Sequence, residues 1–221
     1  MLVCGNGLGD LDTNKSCGLH VHVGIFSTEK SLSSLENDNL SFIKQLVLNW
    51  MALEKNGLSF PERAFKIRRF TSSNEVENNK ITKDLIAAKD IEGMKNALCQ
   101  RGRMYEPINL FSLVKHGTIE FRSHPGTINP RDIAAWTRFI DNLVGVSLEA
   151  LQENPNPHFP QEVELEKLEE MLKELKEYDS CVIGNNVSYS SRAPSPSFTN
   201  TEEYRRVVSQ NSSDITTQFS I

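Results

Sequence analysis

Apolar and polar residues alternate along two stretches of the chain, and each alternation predicts a β-strand. The first stretch is Cys17 to Ile25, in which the apolar positions are Leu19, Val21, Val23 and Ile25. Between them lie His20, His22 and Gly24. Because successive side chains of a strand point to opposite faces, both imidazoles are expected on the face away from the core.

The second stretch, Lys115 to Gly126, carries a denser set of charged side chains. Its apolar face is formed by Ile119 and Phe121. Its opposite face carries Thr118, Glu120, Arg122 and His124. Charged side chains are common on any solvated strand, so this face alone would not indicate a function. The histidine-bearing strand earlier in the chain makes a functional face the better interpretation.

Four helices are predicted between residues 39 and 152, some from apolar residues at helical spacing and others from residues that can cap a helix. The predicted helices run from Asn39 or Ser41 to about Glu54, from a Thr82 cap to Ala88, from an Asp90 cap to Leu98, and from an Asn129 cap with Pro130 in the first turn to about Gln152. Residues 71–80, TSSNEVENNK, are predicted to be a surface loop.

The two ends of the chain differ from its middle. Residues 1–16 are predicted to be a loop, and residues 184–221 a disordered tail rich in Ser and Thr. Prolines interrupt the chain at 154–160, because each removes a backbone donor and restricts the residue before it. The amphipathic segment 161–178 then carries Leu165, Leu168, Leu172 and Leu175. Such a helix can dock on the domain or pair with a partner protein, including a second copy.

Composition narrows the class of protein. With 38% hydrophobic and 24% charged residues, the chain is expected to be globular with one substantial core. The net charge of −5 without a basic stripe predicts no nucleic-acid partner. No run approaches the roughly 20 apolar residues that span a bilayer, so no membrane association and a cytoplasmic location are expected. The four cysteines, Cys4, Cys17, Cys99 and Cys181, have no CxxC spacing and are expected to be reduced thiols, without a zinc site built from them.

The polar faces of the two strands suggest a metal site beside an anion site. Neutral imidazoles and a carboxylate suit Mg²⁺, Mn²⁺ or Zn²⁺ to differing degrees. Arg122 adds a planar cation that matches phosphate or carboxylate oxygens. A metal next to an arginine favours phosphoryl chemistry, because fixed cations stabilise the charge on a transferring phosphoryl group.

Three motifs carry a resemblance to a known family. They are CGLHVHVG at 17–24, RGRMYEPINL at 101–110 and KHGTIEFRSHPGTINPRDIAAWTRFI at 115–140. In this order they resemble the amidoligase family of the glutamine synthetase-like carboxylate–amine ligase superfamily. The resemblance implies an α+β fold with a curved, mainly antiparallel sheet packed by helices. It places a partial amidoligase-like domain at 17–153, followed by the proline break and amphipathic helix at 154–183.

The resemblance also implies an activity and a set of roles. The activity is that of an ATP-dependent ligase, in which a small-molecule or peptide carboxylate forms an acyl phosphate that an amine captures. His20 and Glu120 are similar to metal ligands for Mg²⁺ or Mn²⁺. His22 and Arg103 are similar to nucleotide-side contacts. Glu120 and Arg122 are the implied catalytic pair, with Arg122 meeting the phosphate.

One departure from the superfamily leaves alternatives open. An early strand with a Glu-x-Glu pattern, which supplies further metal carboxylates in the superfamily, does not precede His20. The sheet is therefore expected to be N-terminally truncated, with an exposed edge. One alternative is a degenerate relative that binds nucleotide or a protein without turnover. Another is a zinc-dependent hydrolase that uses His20, His22 and either His116 or His124, with Glu120 as base.

Overall fold

A computed structural model of the chain describes residues 17–24, 37–60, 67, 69–98, 106–182 and 217–218. Its strands are β1 (Val21–Gly24), β2 (Ile108–Asn109), β3 (Thr118–Phe121) and β4 (Thr217–Gln218). Its helices are α1 (Asn37–Lys55), α2 (Glu75–Ala87), α3 (Ile91–Leu98), α4 (Phe111–His116), α5 (Pro130–Glu153) and α6 (Glu162–Tyr178). The architecture is mixed helix and small antiparallel sheet, which confirms the α+β class in its general form.

The sheet has the strand order β2-β3-β1-β4, and every neighbouring pair is antiparallel. The two predicted functional strands are therefore neighbours, as expected. His22 of β1 lies opposite Glu120 of β3. The other edge of β1 pairs with β4, His22 lying opposite Gln218. The expected truncated sheet is not confirmed.

The apolar face of the sheet packs against the two tryptophans of the chain. Val21, Val23, Ile119 and Phe121 are all buried. The ring of Phe121 lies 5.8 Å from that of Trp50 in α1, which in turn lies 6.2 Å from Trp136 in α5. Aromatic rings at such spacings bury large areas in edge-to-face or tilted contacts. The core thus fixes both strands from the side opposite to the imidazoles.

The second strand is shorter than the sequence predicted. Lys115 and His116 belong to α4, which ends at Gly117. Gly117 has a φ of 66°, a left-handed conformation that glycine adopts without a steric cost, and this ends the helix. The prediction that His124 shares the polar face is also wrong, since its ring is fully buried next to Trp136.

Helix α2 begins earlier than predicted, within the segment that was expected to be a loop. Asn74 is its N-cap, and the Asn74 side chain accepts a hydrogen bond from the backbone N–H of Val76. Glu75 and Glu77 lie in the first turn, where the helix dipole favours negative charge. Thr82, the predicted cap, therefore lies inside the helix.

Helices α5 and α6 lie close to their predicted bounds. Asn129 caps α5, with Pro130 in its first turn. Helix α6 packs on α5 and α1, and an ion pair of 3.1 Å between Arg138 and Glu174 links the first two of these helices. Leu168, Leu172 and Leu175 are buried, so the leucine face docks on the domain. A partner protein or second copy for this helix stays a prediction.

Two further findings bear on the predicted ends and on membranes. The predicted loop 1–16 and most of the predicted tail 184–221 lie outside the described residues, apart from β4. Within the described parts of the chain, no helix has the length and apolar character needed to cross a membrane.

Candidate active site

Glu120 is the residue at which three strands meet. It lies opposite His22 of β1 on one side and opposite Asn109 of β2 on the other. Side chains directly opposite one another in antiparallel strands share a face. The carboxylate is largely buried, with the residue 6% exposed. The strand register thus gathers a carboxylate, an imidazole and an amide.

Two imidazoles lie beside one oxygen of this carboxylate. His20 Nδ1 is 2.8 Å from Glu120 Oε1, and His22 Nε2 is 4.0 Å from the same oxygen. The other ring nitrogen of His22, Nδ1, is 3.0 Å from Thr118 Oγ1. A hydrogen bond at one ring nitrogen orients the other, so Thr118 directs Nε2 toward Glu120.

Arg122 contacts the same carboxylate from the end of β3. Its Nη2 donates to both oxygens of Glu120, at 3.1 Å to Oε1 and 3.0 Å to Oε2. Its backbone N–H donates to the carbonyl of Pro107 at 3.0 Å, which holds this residue against the segment before β2. The guanidinium is partly exposed and remains within reach of an incoming anion.

Two contacts to Glu120 come from residues that the sequence did not single out. Asn109 Nδ2 donates to Oε2 at 2.6 Å, and Ser112 Oγ donates to the same oxygen at 3.0 Å. Asn109 Oδ1 accepts from the backbone N–H of Phe111, so the amide is oriented with its nitrogen toward the carboxylate. The only sequence signal for these residues is their place in the 101–110 motif and just after it.

Protonation at the site follows from these contacts. Burial alone would raise the pKa of Glu120, but hydrogen bonds from His20, Asn109 and Arg122, together with the Arg122 charge, hold it well below its ordinary value. Burial lowers the pKa of His22, and the opposing attraction of Glu120 is the smaller effect. At neutral pH the site therefore holds an ionised carboxylate beside a neutral His22.

Of the other predicted residues, His116 lies beside His22, His124 lies apart from this cluster, and one is not described. Arg103 lies outside the described residues. The His116 ring stands 6.5 Å from that of His22, centroid to centroid. His124 is buried and bonds Asp179 instead. The four predicted residues that the structure does bring together are His20, His22, Glu120 and Arg122.

The side chains around Glu120 are of types that bind a divalent cation, although the ligand atoms of His20, His22 and Glu120 do not all lie within 4.8 Å of one another. One carboxylate oxygen and two imidazole nitrogens are ligands that Mn²⁺ and Zn²⁺ accept, whereas Mg²⁺ prefers oxygen alone. Both oxygens of Glu120 already accept protein hydrogen bonds. A cation at Oε1 would therefore replace the contact to His20 or to Arg122.

The fold and the site define an α+β protein that gathers an acid, a guanidinium and two imidazoles on one face of a small antiparallel sheet. The model of the family described as "Putative amidoligase enzyme" matches residues 8–144, more than half of the 221-residue chain. The chain belongs to this family, which confirms the resemblance carried by the sequence motifs. Membership supports a ligase enzyme in general terms. No curated protein and no solved structure matches the chain.

Proposed function

We propose that the chain is an ATP- and metal-dependent ligase that joins a small-molecule or peptide carboxylate to an amine through an acyl phosphate. The family supports a ligase in general terms. The observation that carries the finer proposal is the contact of Arg122 with Glu120 beside His20 and His22. It sets a cation that matches phosphate oxygens next to a candidate metal site.

ATP, when bound, supplies the phosphoryl group that activates the substrate carboxylate for attack by the amine. Of the chain's own residues, His20 and Glu120 would hold Mg²⁺ or Mn²⁺, and Mn²⁺ accepts the imidazole more readily. Arg122 would bind phosphoryl oxygens through its guanidinium, which is charged at any working pH. His22 and Arg103 are proposed as nucleotide-side contacts on the resemblance alone.

We also infer that the sheet corresponds to part of a glutamine synthetase-like catalytic sheet. The antiparallel order and the polar face opposite the core support this. In such a site the sheet is a rigid platform, and positioning plus electrostatics supply most of the catalysis of phosphoryl transfer.

The test is ATP turnover with a panel of carboxylates and amines, with hydroxylamine added to trap an acyl phosphate. Arg122→Lys keeps the charge but loses the planar fork, so we expect a fall in turnover of at least about 100-fold. Glu170→Gln changes an exposed acid on α6 and is the matched control, with turnover unchanged. Equal turnover in Arg122→Lys and the control would overturn the proposal.

A second candidate is a relative that binds nucleotide without turnover. The observation that favours it is that both Glu120 oxygens are occupied by protein donors, which leaves a metal to compete with them. Calorimetric titration with ATP and Mn²⁺ separates the two candidates. Binding that depends on Arg122, without turnover on any substrate pair, supports the second.

A further inference from the structure

A cluster of side chains that could bind a metal ion lies apart from the residues around Glu120. His124 follows β3, and Asp179 and Cys181 follow α6. One ligand atom of each lies within 4.8 Å of the other two, the one such convergence of three His, Cys, Asp or Glu side chains among the described residues. His124 and Asp179 are fully buried, whereas Cys181 is partly exposed.

The imidazole of His124 is oriented as in many metal sites. Its Nδ1 is 2.6 Å from the carbonyl oxygen of Pro125, and its Nε2 is 2.8 Å from Asp179 Oδ2. A carbonyl oxygen only accepts, so Nδ1 carries a proton and a neutral ring presents its lone pair at Nε2. That lone pair faces a carboxylate oxygen. At 2.8 Å these two atoms share a hydrogen bond when the ring is protonated, and a bound cation would replace that proton and move the two atoms slightly apart.

Asp132, in the first turn of α5, adds a second buried carboxylate to the cluster. Its Oδ2 is 3.7 Å from Cys181 Sγ. The same carboxylate accepts hydrogen bonds from Ser180 and Thr127, which hold it beside the thiol. This contact with Sγ makes Asp132 the nearest candidate for a fourth ligand beside Cys181.

We propose that His124, Asp179 and Cys181 bind one zinc ion, with Asp132 as the fourth ligand. Thiolate sulfur, imidazole nitrogen and carboxylate oxygen are the usual ligands of tetrahedral zinc, and a site with four protein ligands is structural. The ion would link the end of α6, through Asp179 and Cys181, to the segment after β3 that carries Arg122 and His124. Cysteine spacing could not reveal this site, because one cysteine contributes, and His124 and Asp132 come from a part of the chain distant from Asp179 and Cys181.

Zinc binding requires the Cys181 thiol to release its proton to solvent as the Zn–S bond forms. Burial, with Asp132 and Asp179 nearby, raises the pKa of this thiol to about 12. The two carboxylates that disfavour a thiolate attract a dication, and a coordinated thiol is deprotonated outright. Zinc affinity is therefore expected to fall as the pH falls. The partial exposure of Cys181 gives the ion a route in.

The test uses the full chain, stripped of metal with a chelator and titrated with Co²⁺ as a visible probe of zinc sites. We expect a thiolate-to-metal charge-transfer band that saturates at one equivalent of Co²⁺, whatever further Co²⁺ binds at the proposed active site, and we expect Zn²⁺ to abolish that band by competition. Cys181→Ser should weaken binding at this site by at least about 100-fold and remove the band. Asp179→Asn, a second variant, should bind at least about 10-fold more weakly and lose the stabilisation by Zn²⁺ against heat.

Two controls separate this site from the proposed active site. Cys17→Ser changes the other described cysteine, which is exposed, and should keep the band. Glu120→Gln removes a proposed ligand of the active-site cation and should also keep it, whatever happens to turnover. A wild-type chain that binds Co²⁺ without the band, or a Cys181→Ser variant that retains it, would overturn the zinc site and leave the ligase proposal unaffected.

Discussion

Glu120 shows how one residue links the stability of the sheet to its chemistry. Its carboxylate accepts hydrogen bonds from Asn109 and Ser112, and from Arg122 just after β3. One of its oxygens also lies 2.8 Å from His20 Nδ1. A buried carboxylate with this many donors is stable only while it is ionised. The charge is therefore required by the fold as well as by the proposed cation site.

The pH dependence of stability follows from the lowered pKa of Glu120. A carboxyl whose pKa is depressed in the folded state stabilises the protein at pH values above its ordinary pKa of 4.5, and this contribution is lost as the pH falls below 4.5 toward the folded-state pKa. We expect Glu120→Gln to lower the free energy of unfolding by about 2–4 kcal/mol at neutral pH. The deficit should shrink as the pH falls toward about 3.

Urea unfolding of wild type and Glu120→Gln at several pH values measures this difference. Glu170→Gln, on the exposed face of α6, should track the wild type throughout. A deficit that stays constant from neutral to acidic pH would show that the charge of Glu120 is not the source of the stabilisation.

At the scale of elements, the start of α2 is the sharpest difference between sequence and structure. Asn74 supplies the cap, with Asn74 Oδ1 3.0 Å from the backbone nitrogen of Val76. We expect Asn74→Ala to cost about 1 kcal/mol of stability, because the N–H loses its side-chain acceptor. Thr82→Ala, at the cap predicted from the sequence, should be neutral or stabilising by a few tenths of a kcal/mol, since alanine is the better residue inside a helix.

Thermal and urea unfolding of the two alanine variants decide between the two starts of α2. A larger loss for Thr82→Ala than for Asn74→Ala would mean that the helix begins where the sequence indicated. Neither side chain is buried, so core packing does not obscure the comparison.

The alternation of apolar and polar residues predicted which side chains of the same strand share a face. His20 and His22 share a face, as do Glu120 and Arg122, because side-chain direction along a strand follows from the pleat alone. Asn109 and Ser112 could not be predicted in the same way. Their contact with Glu120 depends on the register between β2 and β3, which a pattern along one strand does not contain.

Short helices and buried polar residues were the other features that the sequence pattern did not predict. Helix α4 has six residues, too few to show a helical period, so Lys115 and His116 were assigned to the following strand. His124 continued the polar alternation, but β3 ends at Phe121 and the chain turns its ring into the core. There Asp179, the residue after α6, supplies a polar partner that no local pattern indicates.

At the scale of the whole molecule, α6 lies beyond the residues matched by the family, yet it belongs to the same core. The family match ends at residue 144, and α6 covers Glu162–Tyr178. Leu168 is fully buried in the same hydrophobic cluster as Trp136. His158 bonds Glu164 at 2.9 Å and so ties the proline-rich segment to the first turn of α6. The packing of the family-matched residues therefore depends on this helix.

We expect α6 and the sheet to unfold together. Leu168→Ala leaves a cavity in the shared core and should cost about 2–5 kcal/mol, whereas Val163→Ala, at a position 62% exposed, should cost under about 0.5 kcal/mol. In urea, the fluorescence of Trp50 and Trp136 reports the core, and far-ultraviolet circular dichroism reports the helices. Both signals should shift together to a lower midpoint in Leu168→Ala. A dichroism midpoint that moves while the fluorescence midpoint stays would mean that α6 unfolds as a separate unit.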